Sequence, residues 1–111
     1  MSDFGAMIIF RKANSESFTD DDKNTIKSAL KKVINKGNYS NLIKEGNYLN
    51  LKGWDNDKLC SLLTEYYIDE NYDETVEFAK EEDLEDAKNI SRQLQKELGD
   101  VYEVIASFEE W

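Results

Sequence analysis

The sequence predicts an α+β fold, an α/β two-layer sandwich in which a mixed sheet of about four to five strands packs against three helices. Two observations support this. Short apolar segments typical of strands alternate with segments whose apolar residues recur at helical spacing. The 111 residues, with five Phe, six Tyr and two Trp, suffice for one hydrophobic core but not for two. We therefore expect a single globular domain over residues 1–111.

The first strand and the first helix have the clearest signals. Residues 7–10 are continuously apolar and rich in β-branched or aromatic side chains, which predicts a strand buried on both faces. Thr19 is a suitable N-cap, and the acids at 20–22 favour a helix N-terminus. Gly37 can end this helix. Its inner face is predicted from five apolar residues at i, i+3, i+4, i+7 and i+8 spacing: Ile26, Ala29, Leu30, Val33 and Ile34.

The middle of the chain predicts a hairpin followed by a second helix. Two short apolar runs, at 42–43 and 48–51, flank a Gly-Asn pair that suits a tight turn, and the hairpin ends at Gly53 and Trp54. Asp55 or Asn56 can cap a helix whose apolar residues again fit a helical period. These residues are Leu59, Leu62, Leu63, Tyr66 and Tyr67.

The last third predicts a strand, a third helix and a final strand. Residues 74–79 alternate, with Val76 and Phe78 on one side. Asp83 and Asp86 resemble the ends of a capping box, and Gly99 closes the helix that follows. The last strand spans 101–108. The order is then β-α-β-β-α-β-α-β, and its first six elements resemble ferredoxin-like folds, so a ferredoxin-like core is one expectation. The inner stripe of the third helix is Ala87, Ile90, Leu94 and Leu98.

Charge is distributed unevenly, and this asymmetry is the most specific indication of function. Residues 1–54 contain nine Lys/Arg and six Asp/Glu, whereas residues 55–111 contain five and eighteen. Ten of those carboxylates lie between 69 and 86, interleaved with tyrosines, a mixture that suits a surface for a basic partner. The alternative is that Tyr66 and Tyr67 complete a helix core while the acids keep the surface hydrated. The expected partner-binding residues are Tyr66, Asp69, Glu70, Tyr72, Asp73, Glu74, Glu77, Glu81, Glu82 and Asp83.

Several function classes are disfavoured. The chain has no histidine, which removes the commonest general base and metal ligand, and its single cysteine, Cys60, has no histidine to activate it. The net charge of −10 repels nucleic acid and anionic lipid. The run Asp69-Asn71-Asp73 has calcium-loop spacing, but Glu74 stands where glycine is needed and Lys80 where a bidentate glutamate is needed. We expect no catalytic residue, metal or cofactor.

The interpretation that fits best is a non-enzymatic acidic protein-binding domain. Its sharpest version is a bacterial immunity protein that neutralises a basic toxin, such as a nuclease, by masking its active site; the resemblance is one of size and charge alone. An acidic adaptor that docks a basic host protein is the alternative, and a small enzyme that uses carboxylates is the second. With no signal peptide and no membrane-length apolar segment, we expect a cytoplasmic location.

Overall fold

A computed structural model describes residues 3–13, 17–37, 39, 47–54, 57–67 and 74–110, and for residues 3, 47, 67 and 74–79 it describes the backbone only. The strands are β1 (Asp3–Lys12), β2 (Lys52–Trp54), β3 (Lys58–Leu62), β4 (Tyr66–Tyr67) and β5 (Tyr102–Glu110). The helices are α1 (Asp20–Gly37) and α2 (Glu74–Leu98), and short 3-10 turns cover Asn47–Leu49 and Gly99–Val101. The fold is α+β.

One antiparallel sheet organises the molecule. The order β2-β3-β1 is completed by β5, which pairs with the other side of β1 over nine residue pairs. Strand β4 follows β3 along the same side of β1, so the sheet is four strands wide. The predicted sheet size is confirmed, but the predicted mixed character is wrong, because every described strand pair is antiparallel.

A one-residue bulge separates β3 from β4. Met7 lies opposite Leu62, whereas Phe4 lies opposite Tyr66, so the register shifts by one residue between the two strands. At the shift, the N–H groups of Leu63 and Thr64 both donate to the Ala6 carbonyl, at 2.9 and 3.3 Å. A Cβ on Gly5 would lie only 1.8 Å from the Thr64 carbonyl oxygen. Glycine is therefore required at this position for the two backbones to approach so closely.

The core fills the space between the helices and one face of the sheet. Ala6, Ile8 and Phe10 alternate along β1 on that face and are completely buried. They pack against the inner stripes of both helices and against Leu59, Leu63 and Tyr102. On the opposite face, Met7, Ile9 and Cys60 form a smaller cluster with Trp54 and Leu62. The strand predicted at residues 7–10 is thus confirmed as buried on both faces.

The start of α1 confirms the predicted cap. The Asp22 N–H donates to the Thr19 hydroxyl oxygen at 3.1 Å, and the Thr19 N–H donates to the Asp22 carboxylate at 2.8 Å. This is a capping box in which an aspartate replaces the usual glutamate. All five residues of the predicted inner face are buried.

The second predicted helix is wrong, because residues 58–62 and 66–67 form β3 and β4. The apolar residues there match the helical period, but Leu59, Cys60 and Ser61 are buried in succession, as in a central strand with both faces covered. The completely buried Ser61 donates its hydroxyl proton to the Tyr48 carbonyl at 2.5 Å.

The strand predicted at residues 74–79 is also wrong, since these residues begin α2, and this helix does not start at Asp83 as predicted. The Val76–Phe78 alternation is too short to outweigh the strong helix formers around it, Glu77, Ala79 and Lys80. Residues 42–46 and the caps at 55–56 lie outside the described residues, and 47–49 form a 3-10 turn rather than a hairpin strand. Two α-helices, not three, are present in the described part of the chain. The inner stripe over 87–98 and the last strand are confirmed.

Candidate partner-binding surface

The structure separates the predicted binding residues into three groups. Asp69, Glu70, Tyr72 and Asp73 lie outside the described residues. Glu74 and Glu77 belong to the first turns of α2, where the backbone alone is described. The remaining four are described with their side chains, and the structure brings them together at the N-terminal half of α2: Tyr66, Glu81, Glu82 and Asp83.

Tyr66 and Asp83 bind each other. The Tyr66 hydroxyl donates to an Asp83 carboxylate oxygen at 2.5 Å, and the Tyr66 ring packs on Phe4 with 5.6 Å between centroids. Asp83 is 8% exposed. Burial raises the pKa of Tyr66, and the Asp83 carboxylate raises it further. This pair joins β4 to α2. Two residues that the sequence predicts to contact a partner therefore contact each other inside the fold.

The exposed acids next to this pair form what we call the acidic face, defined as Glu81, Glu82, Glu85 and Asp86. The three glutamates are exposed and Asp86 is half-buried. Burial raises the pKa of Asp86, and repulsion from Asp83 and Glu85 raises it further. Glu85 and Asp86 were not among the predicted binding residues, although they lie in the same acid-rich segment. A cation brought to this face would relieve the repulsion.

No base neutralises the acidic face within the described residues. The ion pairs found among the described residues lie elsewhere and join Arg11 to Glu103, Lys12 to Asp22, and Lys32 to Glu97. Lys80 lies beside the acids in sequence, but its ammonium group sits over the Phe108 ring, 5.6 Å from the centroid. The other bases of α2 come later along the helix, at Lys88, Arg92 and Lys96, so α2 is more acidic towards its start and more basic towards its end.

A second carboxylate, the half-buried Asp22, lies near the start of α1 in the opposite electrostatic setting. Asp22 accepts hydrogen bonds from the Lys12 ammonium at 2.8 Å, the Thr19 N–H and hydroxyl, and the Tyr102 hydroxyl at 2.5 Å. Lys12 first, and then these other donors, lower the pKa of Asp22 far below its ordinary value of 3.8. Burial and the bond to Asp22 raise the pKa of Tyr102 to about 12. The Asp22 carboxylate is therefore stabilised by donors from within the protein, on both of its oxygens.

The described side chains offer little for catalysis or metal binding. No group of three or more His, Cys, Asp or Glu is arranged to hold a metal ion in the part of the chain that the structure describes. Cys60 lies on β3 rather than on a helix, and burial raises the pKa of its thiol, which suppresses the reactive thiolate. Neither described helix is long and apolar enough to cross a membrane.

Comparison of the chain with protein-family models, with curated proteins and with solved structures gave no match.

Proposed function

We propose that this chain is a non-enzymatic acidic domain that binds a basic protein, most specifically an immunity protein that neutralises a basic toxin such as a nuclease by masking its active site. The observation that carries the proposal is the acidic face: three exposed glutamates and a half-buried aspartate, for which the described residues supply no ion-pair partner. We propose a cytoplasmic location for this encounter. The strand order β2-β3-β1-β5, with both described helices on one face, supports a ferredoxin-like core as the frame.

The repulsion within the acidic face supports a partner rather than hydration alone. Carboxylates that only keep a surface hydrated can be spread apart, where they repel each other weakly. Here burial raises the pKa of Asp86 first, and repulsion from Asp83 and Glu85 raises it further, so these carboxylates are close enough to repel one another. A basic partner converts that repulsion into attraction and accelerates association before contact is made. A nuclease active site is a suitable target because it must carry positive charge to bind phosphate.

The first experiment compares two charge reversals of equal size. Glu81→Lys with Glu85→Lys changes the acidic face, whereas Asp20→Lys with Asp100→Lys changes two exposed acids that make no ion pair among the described residues. The partner is first identified by pull-down with the native chain. We expect the first variant to lower the association rate at least tenfold at low salt, and the second to leave it within about twofold. Equal losses in both variants would contradict a specific acidic face.

The second experiment separates an immunity protein from an adaptor. The partner is expressed in cells with the native chain or with the Glu81→Lys/Glu85→Lys variant, and growth is measured. An immunity protein restores growth in the native form and fails in the variant. A partner that binds the acidic face but is harmless when expressed alone would instead support the adaptor.

A further inference from the structure

The outer side of β5 is an edge of the sheet, and the direction of its backbone groups can be assigned. The Tyr102 carbonyl accepts a hydrogen bond from the Gln95 side-chain amide at 2.8 Å, and the Val104 N–H donates to the Gln95 amide oxygen at 3.1 Å. The Val101 carbonyl instead accepts from the Ala13 N–H, on the β1 side. Backbone groups of alternate residues in an antiparallel strand point to opposite sides. Even-numbered residues of β5 therefore direct their N–H and C=O groups away from β1.

Gln95 closes only the first part of this edge. Its side-chain amide forms hydrogen bonds with the outward C=O of Tyr102 and the outward N–H of Val104, as the backbone of a neighbouring strand would. Beyond it, the outward groups of Ala106 and Phe108 have no hydrogen-bond partner among the described residues, where β5 pairs with β1 alone. On the opposite side of the sheet the outermost strands are β2, with three residues, and β4, with two. A long edge with a row of unpaired donors and acceptors is the usual template for adding a strand.

Side chains along the open part of β5 indicate what such a strand would carry. Ala106 and Phe108 are half-buried on the helix side of the sheet. Glu109 and Glu110 follow as consecutive residues, so one carboxylate lies on each face at the end of the strand. An antiparallel neighbour places its residues directly opposite these, where opposite charges stabilise and like charges destabilise.

We propose that the outer edge of β5, over Ala106 to Glu110, binds an extended basic segment of the partner as an added antiparallel strand. The segment has two consecutive Lys/Arg residues opposite Glu110 and Glu109, and apolar residues opposite Phe108 and Ala106. A second copy of this chain is the poorer occupant, because it would bring its own acidic strand end and a net charge of −10 to an acidic edge. This inference rests on the proposed function, since it describes how the basic partner is bound. It adds backbone hydrogen bonds that would fix the orientation of the partner segment on β5.

The probe is the peptide acetyl-Lys-Lys-Val-Thr-Val-Val-amide, whose binding is followed by amide hydrogen exchange in NMR spectra of the full chain. We expect the amides of Ala106 and Phe108 to exchange rapidly in the free protein and at least tenfold more slowly with bound peptide. The amide of Val104, already bonded to Gln95, should not change. Binding that leaves Ala106 and Phe108 unprotected would overturn the inference.

Two peptide controls test the hydrogen bonds and the charges separately. N-methylation of the third and fifth peptide residues removes the donors that would face Phe108 and Ala106, and we expect at least a tenfold loss of affinity. N-methylation of the fourth residue, whose N–H points away from β5, should change affinity less than threefold. Replacing the two lysines by glutamates should abolish binding. Equal losses from both N-methylated peptides would overturn the added-strand geometry.

Protein variants distinguish this inference from the proposed function. Ala106→Pro removes one outward N–H and no bond to β1, so it should abolish edge binding while the melting temperature shows that the sheet persists. Gln95→Ala exposes the next two groups, and the Val104 amide should then be protected by a peptide extended by two residues. If the partner protein depends on Glu81 and Glu85 but protects no β5 amide, the edge inference falls and the proposed function stands. If the peptide protects the edge but the partner is indifferent to the acidic face, the proposed function falls.

Discussion

The same hydrogen bond, from a tyrosine hydroxyl to an aspartate, occurs in two regions of this molecule with opposite electrostatics. Tyr102 donates to Asp22 near the start of α1, where a lysine and a threonine also bind the carboxylate. Tyr66 donates to Asp83 near the acidic face, where Asp83 and Glu85 repel the carboxylate of Asp86. One carboxylate is neutralised within the protein, and the other belongs to a cluster with excess negative charge.

This difference shows where the fold gains stability and where it keeps charge for another use. A carboxylate with several donors stabilises the folded state, because ionisation and folding favour each other. Clustered carboxylates do the reverse, since each ionised group raises the cost of ionising the next. We infer that the hydrogen bonds to Asp22 stabilise the folded state, whereas the acidic face retains an electrostatic repulsion that a basic partner would relieve.

The largest expected effect comes from the bulge that positions Tyr66. Gly5→Ala places a Cβ 1.8 Å from the Thr64 carbonyl oxygen, so β4 must move and the Tyr66–Asp83 bond is lost with it. We expect a loss of about 3 kcal/mol or more in the free energy of unfolding, measured by urea denaturation. Gly53→Ala is the matched control, because nothing lies within 4 Å of its added Cβ. A Gly5→Ala variant as stable as the control would mean that the bulge does not position Tyr66.

The next effect concerns the neutralised carboxylate. Asp22→Ala removes the common acceptor of Lys12, Thr19 and Tyr102, and we expect a loss of about 2–4 kcal/mol at pH 7. Asp20→Ala, at an exposed position of the same turn, should cost about 0.5 kcal/mol. Because folding lowers the pKa of Asp22, its contribution is complete above the ordinary pKa of 3.8 and declines as the pH falls below it. The difference in the free energy of unfolding between the native chain and Asp22→Ala should therefore become smaller in acid. A difference that does not change with pH would contradict the stabilising role of the ionised Asp22.

Removing each tyrosine hydroxyl compares the two regions directly. Tyr66→Phe leaves Asp83 without its side-chain donor among the described residues, and we expect a loss of about 1–2 kcal/mol. Tyr102→Phe leaves Asp22 with Lys12 and Thr19 still bound, so about 0.5–1 kcal/mol is expected. Thermal unfolding of both variants measures the order. A larger loss of stability from Tyr102→Phe would contradict the inference that Lys12 and Thr19 still stabilise the Asp22 carboxylate when the Tyr102 hydroxyl is removed.

The first third of the fold was predictable from the sequence because its signals are local. The N-cap at Thr19, the acids that follow and the apolar spacing from Ile26 to Ile34 all indicate the same helix. The middle was not, because Leu59, Leu62 and Tyr66 match a helical period while Ser61 is buried in a central strand. The hydrogen bond that makes Ser61 acceptable there reaches Tyr48, which no local pattern specifies.

The exposure of Glu81, Glu82 and Glu85 was predictable from the sequence, because charged side chains are rarely buried, but the contacts of individual residues were not. That Tyr66 and Asp83 bind each other depends on the bulge at Gly5 and on α2 beginning at Glu74. The open edge of β5 depends on where the Gln95 side chain lies, which is a tertiary contact.

The smallest expected effect is at Asp86, and its sign is opposite to that of Asp22. Asp86→Asn removes one ionised carboxylate from the acidic face, so the variant should be more stable than the native chain at pH 7, by about 0.5 kcal/mol. Folding raises the pKa of this group, so its destabilising effect is complete above that raised pKa and disappears as the pH falls below the ordinary value of 3.8. Thermal unfolding at pH 7 and at pH 3, with Asp100→Asn as the exposed control, measures both limits. Added salt should shrink the gain at pH 7, because it screens the repulsion from Glu85. A destabilised Asp86→Asn variant at pH 7 would mean that Asp86 is bound within the fold as Asp22 is, and the contrast between the two regions would fail.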